Sequence, residues 1–189
     1  MKRMFTGAIL ALVTIGLCAC FPESDNPVGS VTTDMDLAGK WGNPPKEGQP
    51  SEGYYEMVPG SDGKFAIHFT KEGDATSGME LEGFTSEANG QKYLAVRMLS
   101  MGGQPAAMER WWLLHYKVEN DTFTMRMMKL DEAATAVKAG ALKGEVTGDE
   151  ASGIPAVHIS SSSDELAAYL ADPANDKIWD VPEPLVRLP

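Results

Sequence analysis

The chain has 189 residues, 27 acidic and 16 basic side chains, a formal net charge of -11 and 43% hydrophobic residues. That length accommodates one domain plus a short appendage, and the apolar fraction excludes a disordered polymer. The acidity excludes a nucleic-acid partner, which needs a basic face against phosphates, and excludes electrostatic docking on anionic lipid.

Lys2 and Arg3 precede a 14-residue stretch, Met4 to Leu17, broken only by Thr6, Gly7, Thr14 and Gly16. As a helix it rises about 21 Å, short of the roughly 30 Å hydrocarbon core, so it predicts a signal peptide and not a spanning helix. Leu17-Cys18-Ala19-Cys20 comes next. Aliphatic, small, small, Cys resembles a bacterial lipobox. The resemblance implies a lipoprotein signal peptide over residues 1–19, a diacylglycerol on the Cys20 thiol and an acyl group on the new amine. Cys18 is the rival acceptor, but it would put Leu17 where a small residue is expected. With Cys18 removed and Cys20 alkylated, no disulfide remains. Loss of Lys2 and Arg3 leaves 14 basic against 27 acidic residues, a charge of -13. Several acyl chains, at about 0.8 kcal/mol per buried CH₂, would anchor the globule firmly. Phe21 occupies the place where Asp resembles an inner-membrane retention signal, which implies the periplasmic face of the outer membrane.

Residues 20–36, with Pro22, Pro27, Gly29 and several polar side chains, have no apolar period. They predict a flexible tether spanning roughly 20–24 Å. A single domain is expected over 37–189. Leu37-Ala38-Gly39-Lys40-Trp41 opens it, and strand signals then recur with turn chemistry between them. Tyr54–Val58 precedes a Pro59–Gly63 turn. Lys64–Thr70 places Phe65, Ile67 and Phe69 on one face. Met79–Thr85 and Gln91–Leu99 flank Asn89-Gly90, a hairpin signal because both positions favour φ > 0. Gln91–Leu99 and Trp111–Val118 are apolar on both faces. Asn120-Asp121 turns the chain into Thr122–Leu130, where Phe123, Met125 and Met127 share a face. A helix is expected over Asp131–Ala139, with Asp131 as N-cap and Gly140 beyond its end. Gly144–Thr147 and Ala156–Ile159 suggest a further hairpin. Ser162-Ser163-Asp164-Glu165 is a capping box for a second helix, which Pro173 stops. The Pro-rich end, Asp180–Pro189, is expected along the surface as an extended tail.

Leu37-x-Gly39-x-Trp41 opening such a meander resembles the first strand of lipocalin-like (calycin) proteins. Trp112-Leu113-Leu114-His115-Tyr116, Asn120-Asp121-Thr122-Phe123, Ala136-x-x-Ala139-Gly140-x-Leu142-x-Gly144 and His158-Ile159-Ser160-x-Ser162-x-x-Glu165-Leu166 resemble small bacterial lipocalin-like lipoproteins. The resemblance covers residues 37 to 170. It implies a mainly β fold, an antiparallel meander closing into a lipocalin-like barrel or half-open barrel, with two short α-helices near the C-terminus and a Trp across the barrel floor.

No Gly-x-Ser-x-Gly elbow, phosphate loop or dinucleotide fingerprint occurs, so no catalytic residue is named and no cofactor is expected. His68, His115 and His158 lie far apart in sequence, without metal-ligand spacing. Thioethers suit Cu(I), which makes Met98, Met101 and Met108 the copper candidates, while Met125 and Met127 continue the Phe123 face as core filler. The aromatics Trp41, Tyr55, Phe65, Phe69, Trp112 and Tyr116 are the candidates for lining an apolar ligand cavity. The loop Ser100–Glu109 is a candidate lid or recognition loop. Three roles remain in play: a non-enzymatic binding domain for a small apolar ligand or envelope component, a protein-interaction or immunity-type inhibitor lipoprotein, and a copper-handling lipoprotein.

Overall fold

The computed structural model describes residues 21–43, 53–71, 74–106, 108–148 and 155–189, with backbone only at 74–77. Thirteen strands are formed by these residues. They are β1 (Glu23–Ser24), β2 (Ser30–Thr32), β3 (Gly39–Gly42), β4 (Tyr54–Pro59), β5 (Phe65–Lys71), β6 (Asp74–Ala88), β7 (Gln91–Met101), β8 (Gln104–Pro105), β9 (Trp112–Glu119), β10 (Thr122–Met127), β11 (Gly144–Thr147), β12 (Ala156–Ile159) and β13 (Glu183–Leu188). Two α-helices are described, α1 (Leu130–Lys138) and α2 (Ser163–Ala171). Short 3₁₀ turns cover Met35–Leu37 and Pro173–Ile178.

β3, β4, β5, β6, β7, β9, β10 and β13 pair in that order, each antiparallel to its neighbour, and β13 returns to β3. The result is a closed eight-stranded up-and-down barrel, compatible with a lipocalin-like fold. Asn89 and Gly90 adopt φ of 54° and 71°, and Asn120 and Asp121 adopt 49° and 56°, so both hairpins turn through left-handed pairs that match strand twist.

The two-faced apolarity of β7 and β9 has a structural cause. Leu94, Val96, Trp112 and Leu114 point into the barrel. Tyr93, Ala95 and Leu113 point outward into a second core under α1, α2 and the β11–β12 hairpin. The late helices therefore pack on the barrel's outer wall and leave its closure intact. α2 has the expected capping box between Ser162 and Glu165. α1 starts one residue earlier than expected, with Lys129 at the N-cap and no side-chain cap. Asp131 lies in its first turn and accepts from the Glu132 N–H at 2.9 Å.

Two segments depart from expectation. From Phe21 onward the expected tether, residues 20–36, is laid against the domain. Ser24 and Trp111 exchange backbone bonds of 2.8 and 3.0 Å, Asp25 N–H donates to Ile159 O at 3.0 Å, and Val28 is fully buried. β2 pairs with Thr85–Glu87 of β6. Open strand edges supply partners for the strap's backbone groups, which composition does not reveal. The Pro-rich end is likewise structural: Glu183–Leu185 pair with β10, Val186 and Arg187 with β10 or the turn beside it and also with β3, and Leu188 with β3. Pro184 is tolerated because it lies where one side of the strand has no ladder to complete.

The candidate ligand cavity

One end of the barrel is filled. Trp41 is fully buried there, its indole Nε1–H donates to Leu37 O at 2.8 Å, and its ring lies 5.6 Å from Phe123. The Arg187 guanidinium lies 4.2 Å from the Trp41 ring centroid and donates to Ala38 O at 2.7 Å and Asp36 O at 2.9 Å, clamping the 3₁₀ turn over the floor. Asp34 accepts from Lys92 Nζ at 2.7 Å and from the Tyr116 hydroxyl at 2.9 Å. Burial would raise the Asp34 pKa, but these donors outweigh it and hold the carboxyl below its usual range. Burial, then the Asp34 carboxylate, pushes the Tyr116 phenol far upward, so it stays protonated.

Above this floor the barrel is not filled. A cavity of about 260 Å³ remains, lined by fifteen side chains, none of them charged. Six are methionines: Met57, Met79, Met98, Met101, Met125 and Met127. Leu81, Leu94, Val96 and Leu114 supply branched aliphatic wall, and Phe123 meets it from the floor. Beyond the floor the wall includes Tyr55, which pairs across the strands with Trp41, and then Trp112 and Phe21, whose ring lies 5.4 Å from that of Trp112. The position comes from strand direction. Trp112 starts β9, Met127 ends β10 and Met101 ends β7, all at the end away from the 3₁₀ turn. Burial and then Glu183 raise the Tyr55 pKa, so the wall stays neutral at physiological pH. Trp112 Nε1 is buried and has no hydrogen-bond partner among the described residues.

The six aromatic candidates separate by depth. Tyr55 and Trp112 line the cavity. Trp41, Phe65 and Tyr116 are packed in the inner core without lining it. Phe69 stands beside Tyr55, with ring centroids 4.9 Å apart. Among the copper candidates, Met98 and Met101 line the cavity. Met108 is buried beside it, its sulfur 3.3 Å from the Met98 backbone N–H that donates to it. Met125 and Met127, expected as core filler, are cavity wall. Alternation along β10 predicts their inward side but carries no information on whether that side meets atoms or space. Phe21 has no sequence signal at all, since it precedes the strap that positions it.

The Ser100–Glu109 loop does not stand free. Gly102 and Gly103 turn with φ of 58° and 73°, and Gln104–Pro105 fold back to pair with Ser100 and Met101. The three histidines lie on β5, β9 and β12. Among the described residues no three His, Cys, Asp or Glu side chains come together to hold a metal ion. His115 Nε2 lies 2.9 Å from Gln91 Oε1, and His158 Nε2 lies 2.9 Å from Asp25 Oδ1. Cys20 and the signal peptide expected over 1–19 lie outside the described residues.

The cavity can receive apolar matter and gives it no charged partner. Comparison with protein-family models, curated proteins and solved structures found no match to this chain.

Proposed function

We propose that the chain is a non-enzymatic lipoprotein, anchored through Cys20 to the periplasmic face of the outer membrane, whose barrel binds a small apolar ligand. The observation that carries this reading is the uncharged cavity of about 260 Å³ above a closed floor. A cavity of about 150 Å³ with apolar walls takes benzene, so this one has room for roughly ten carbons. Burying ten methylenes at about 0.8 kcal/mol each gives roughly 8 kcal/mol gross. Association costs at least about 4 kcal/mol, which leaves at most about 4 kcal/mol, an affinity near millimolar. Methionine walls suit such an occupant, because unbranched thioether side chains re-pack around different shapes.

The same methionines are a poor home for Cu(I). The cation would sit in an apolar cage with no counter-charge on the wall, a costly burial. Addition of Cu(I) to the protein is expected to leave its melting temperature unchanged, and a rise of several degrees would restore the copper reading.

The ligand reading is tested with the mature chain carrying Cys20→Ala, titrated with 11-(dansylamino)undecanoic acid. One site per chain is expected, blocked by Val96→Phe, which pushes a ring into the cavity from β7. Absence of any saturable site refutes it. Anchoring is tested in the intact chain: Cys20→Ala is expected to abolish processing and membrane retention, and a processed, membrane-bound variant contradicts the lipobox reading.

A further inference from the structure

We infer that the barrel's occupant is one of the protein's own acyl chains, carried by Cys20 and folded back into the cavity. This rests on the proposed lipidation of Cys20 and on the proposed binding of apolar chains in the cavity.

Three observations carry the inference. The first is covalent proximity. Phe21 lines the cavity, in contact with Trp112, and consecutive α-carbons are about 3.8 Å apart. The lipid-bearing residue is thus one peptide unit from a cavity wall.

The second is rigidity. The expected tether would have let the globule stand roughly 20–24 Å from the lipid attachment point. Instead the strap is fixed three residues after Phe21 by the paired Ser24–Trp111 backbone bonds and by Asp25 N–H to Ile159 O. Arg110 adds a 3.1 Å contact to the Asp25 carboxylate. Residue 21 is therefore held at the cavity, and an acyl chain attached to residue 20 starts there.

The third is affinity against concentration. The cavity has room for roughly ten carbons, one acyl chain's distal portion and not three chains. A site of near-millimolar affinity fills poorly from dilute free ligand. A chain attached through a short linker has an effective concentration on the order of millimolar, which suffices. Cys20 would carry three acyl chains in its fully modified form. Sequestering one leaves two in the bilayer, still enough for stable anchoring. The uncharged wall matches a hydrocarbon with no headgroup to pair.

In the mature chain Cys20 is the sole cysteine, which makes a clean test. The mature chain is alkylated at Cys20 with N-dodecylmaleimide in one sample and capped with iodoacetamide in the other. Each is titrated with 11-(dansylamino)undecanoic acid in water, without detergent. The iodoacetamide form is expected to bind one probe. The dodecyl form is expected to bind it at least about twofold more weakly and to remain monomeric by gel filtration, its chain hidden. A dodecyl form that binds the probe as tightly as the capped form, or that self-associates through an exposed chain, overturns self-occupancy while the ligand reading stands. If the capped form itself has no site, the ligand reading fails and takes this one with it. Mass spectrometry of the membrane-extracted protein reads the lipid on residue 20, so a failure of lipidation is seen separately.

Discussion

Trp41→Ala and Met125→Ala remove side chains from the same barrel, one from its filled end and one from its open part. Trp41 is fully buried, bonded to Leu37 O, and packed between Phe123 and Arg187. Truncation there leaves a closed void and an unpaired carbonyl, and large-to-small aromatic changes of this kind cost about 4 kcal/mol. Met125 is only half-buried and already faces the cavity. Its truncation widens existing space, so most of the cavity penalty is absent and the cost is about 1 kcal/mol. Urea unfolding monitored by circular dichroism separates them. With a slope of about 2 kcal/mol per molar urea, Trp41→Ala should lower the midpoint by about 2 M and Met125→Ala by about 0.5 M. Met125→Ala should also leave probe binding intact. Equal midpoint shifts, or a larger one for Met125→Ala, would refute the division into filled floor and empty upper barrel.

Acid should weaken the outer core through His115. Its half-buried ring lies against Tyr93, Trp179 and Gln91, with a buried Nδ1 unpartnered among the described residues. Burial first, then Arg126, lowers its pKa against a smaller opposing effect of Asp176. The neutral form is thus favoured on folding: stability is full above the unfolded value near pH 6.5 and declines as pH falls below it. His115→Gln should flatten the urea midpoint between pH 7 and 5, and a wild-type midpoint already flat there refutes the assignment. Gly29 has φ of +66°, and a Cβ there would lie 2.5 Å from Glu87 O and 2.7 Å from Ala88 Cβ. Gly29→Ala should therefore cost more than about 1 kcal/mol locally. Hydrogen exchange of residues 23–32 should speed several-fold while β9 is unaffected, and unchanged exchange in the strap would mean it is not held as described.

Period-two alternation and turn chemistry make the barrel legible in the sequence. Phe65 and Ile67 point inward as expected, Asn89-Gly90 turns as expected, and two-faced β7 and β9 announce a second core. The pattern specifies which side of a strand a residue takes but not what its side chain meets there. Hence Trp41, Phe65 and Tyr116 belong to packed core while Tyr55 and Trp112 reach the cavity. Whether an inward side chain meets atoms or space depends on the sum of volumes across eight strands, so Met125 and Met127 resemble filler in one dimension. The strap and β13 are hidden for another reason. Their contribution comes from backbone bonds to open edges, and Pro22, Pro27, Pro182 and Pro184 mask that capacity in composition.

From residue 20 onward the chain has nine methionines, of which six line the cavity and three, Met35, Met108 and Met128, do not. A titration of the Cys20→Ala mature chain with dodecanoic acid, monitored through ¹³C-labelled methionine methyl resonances, therefore reads the cavity against an internal reference. Saturable shifts at Met57, Met79, Met98, Met101, Met125 and Met127, with the other three nearly still, are the predicted result. No saturable shift, or shifts led by Met35, Met108 and Met128, would contradict an apolar binding site inside this barrel.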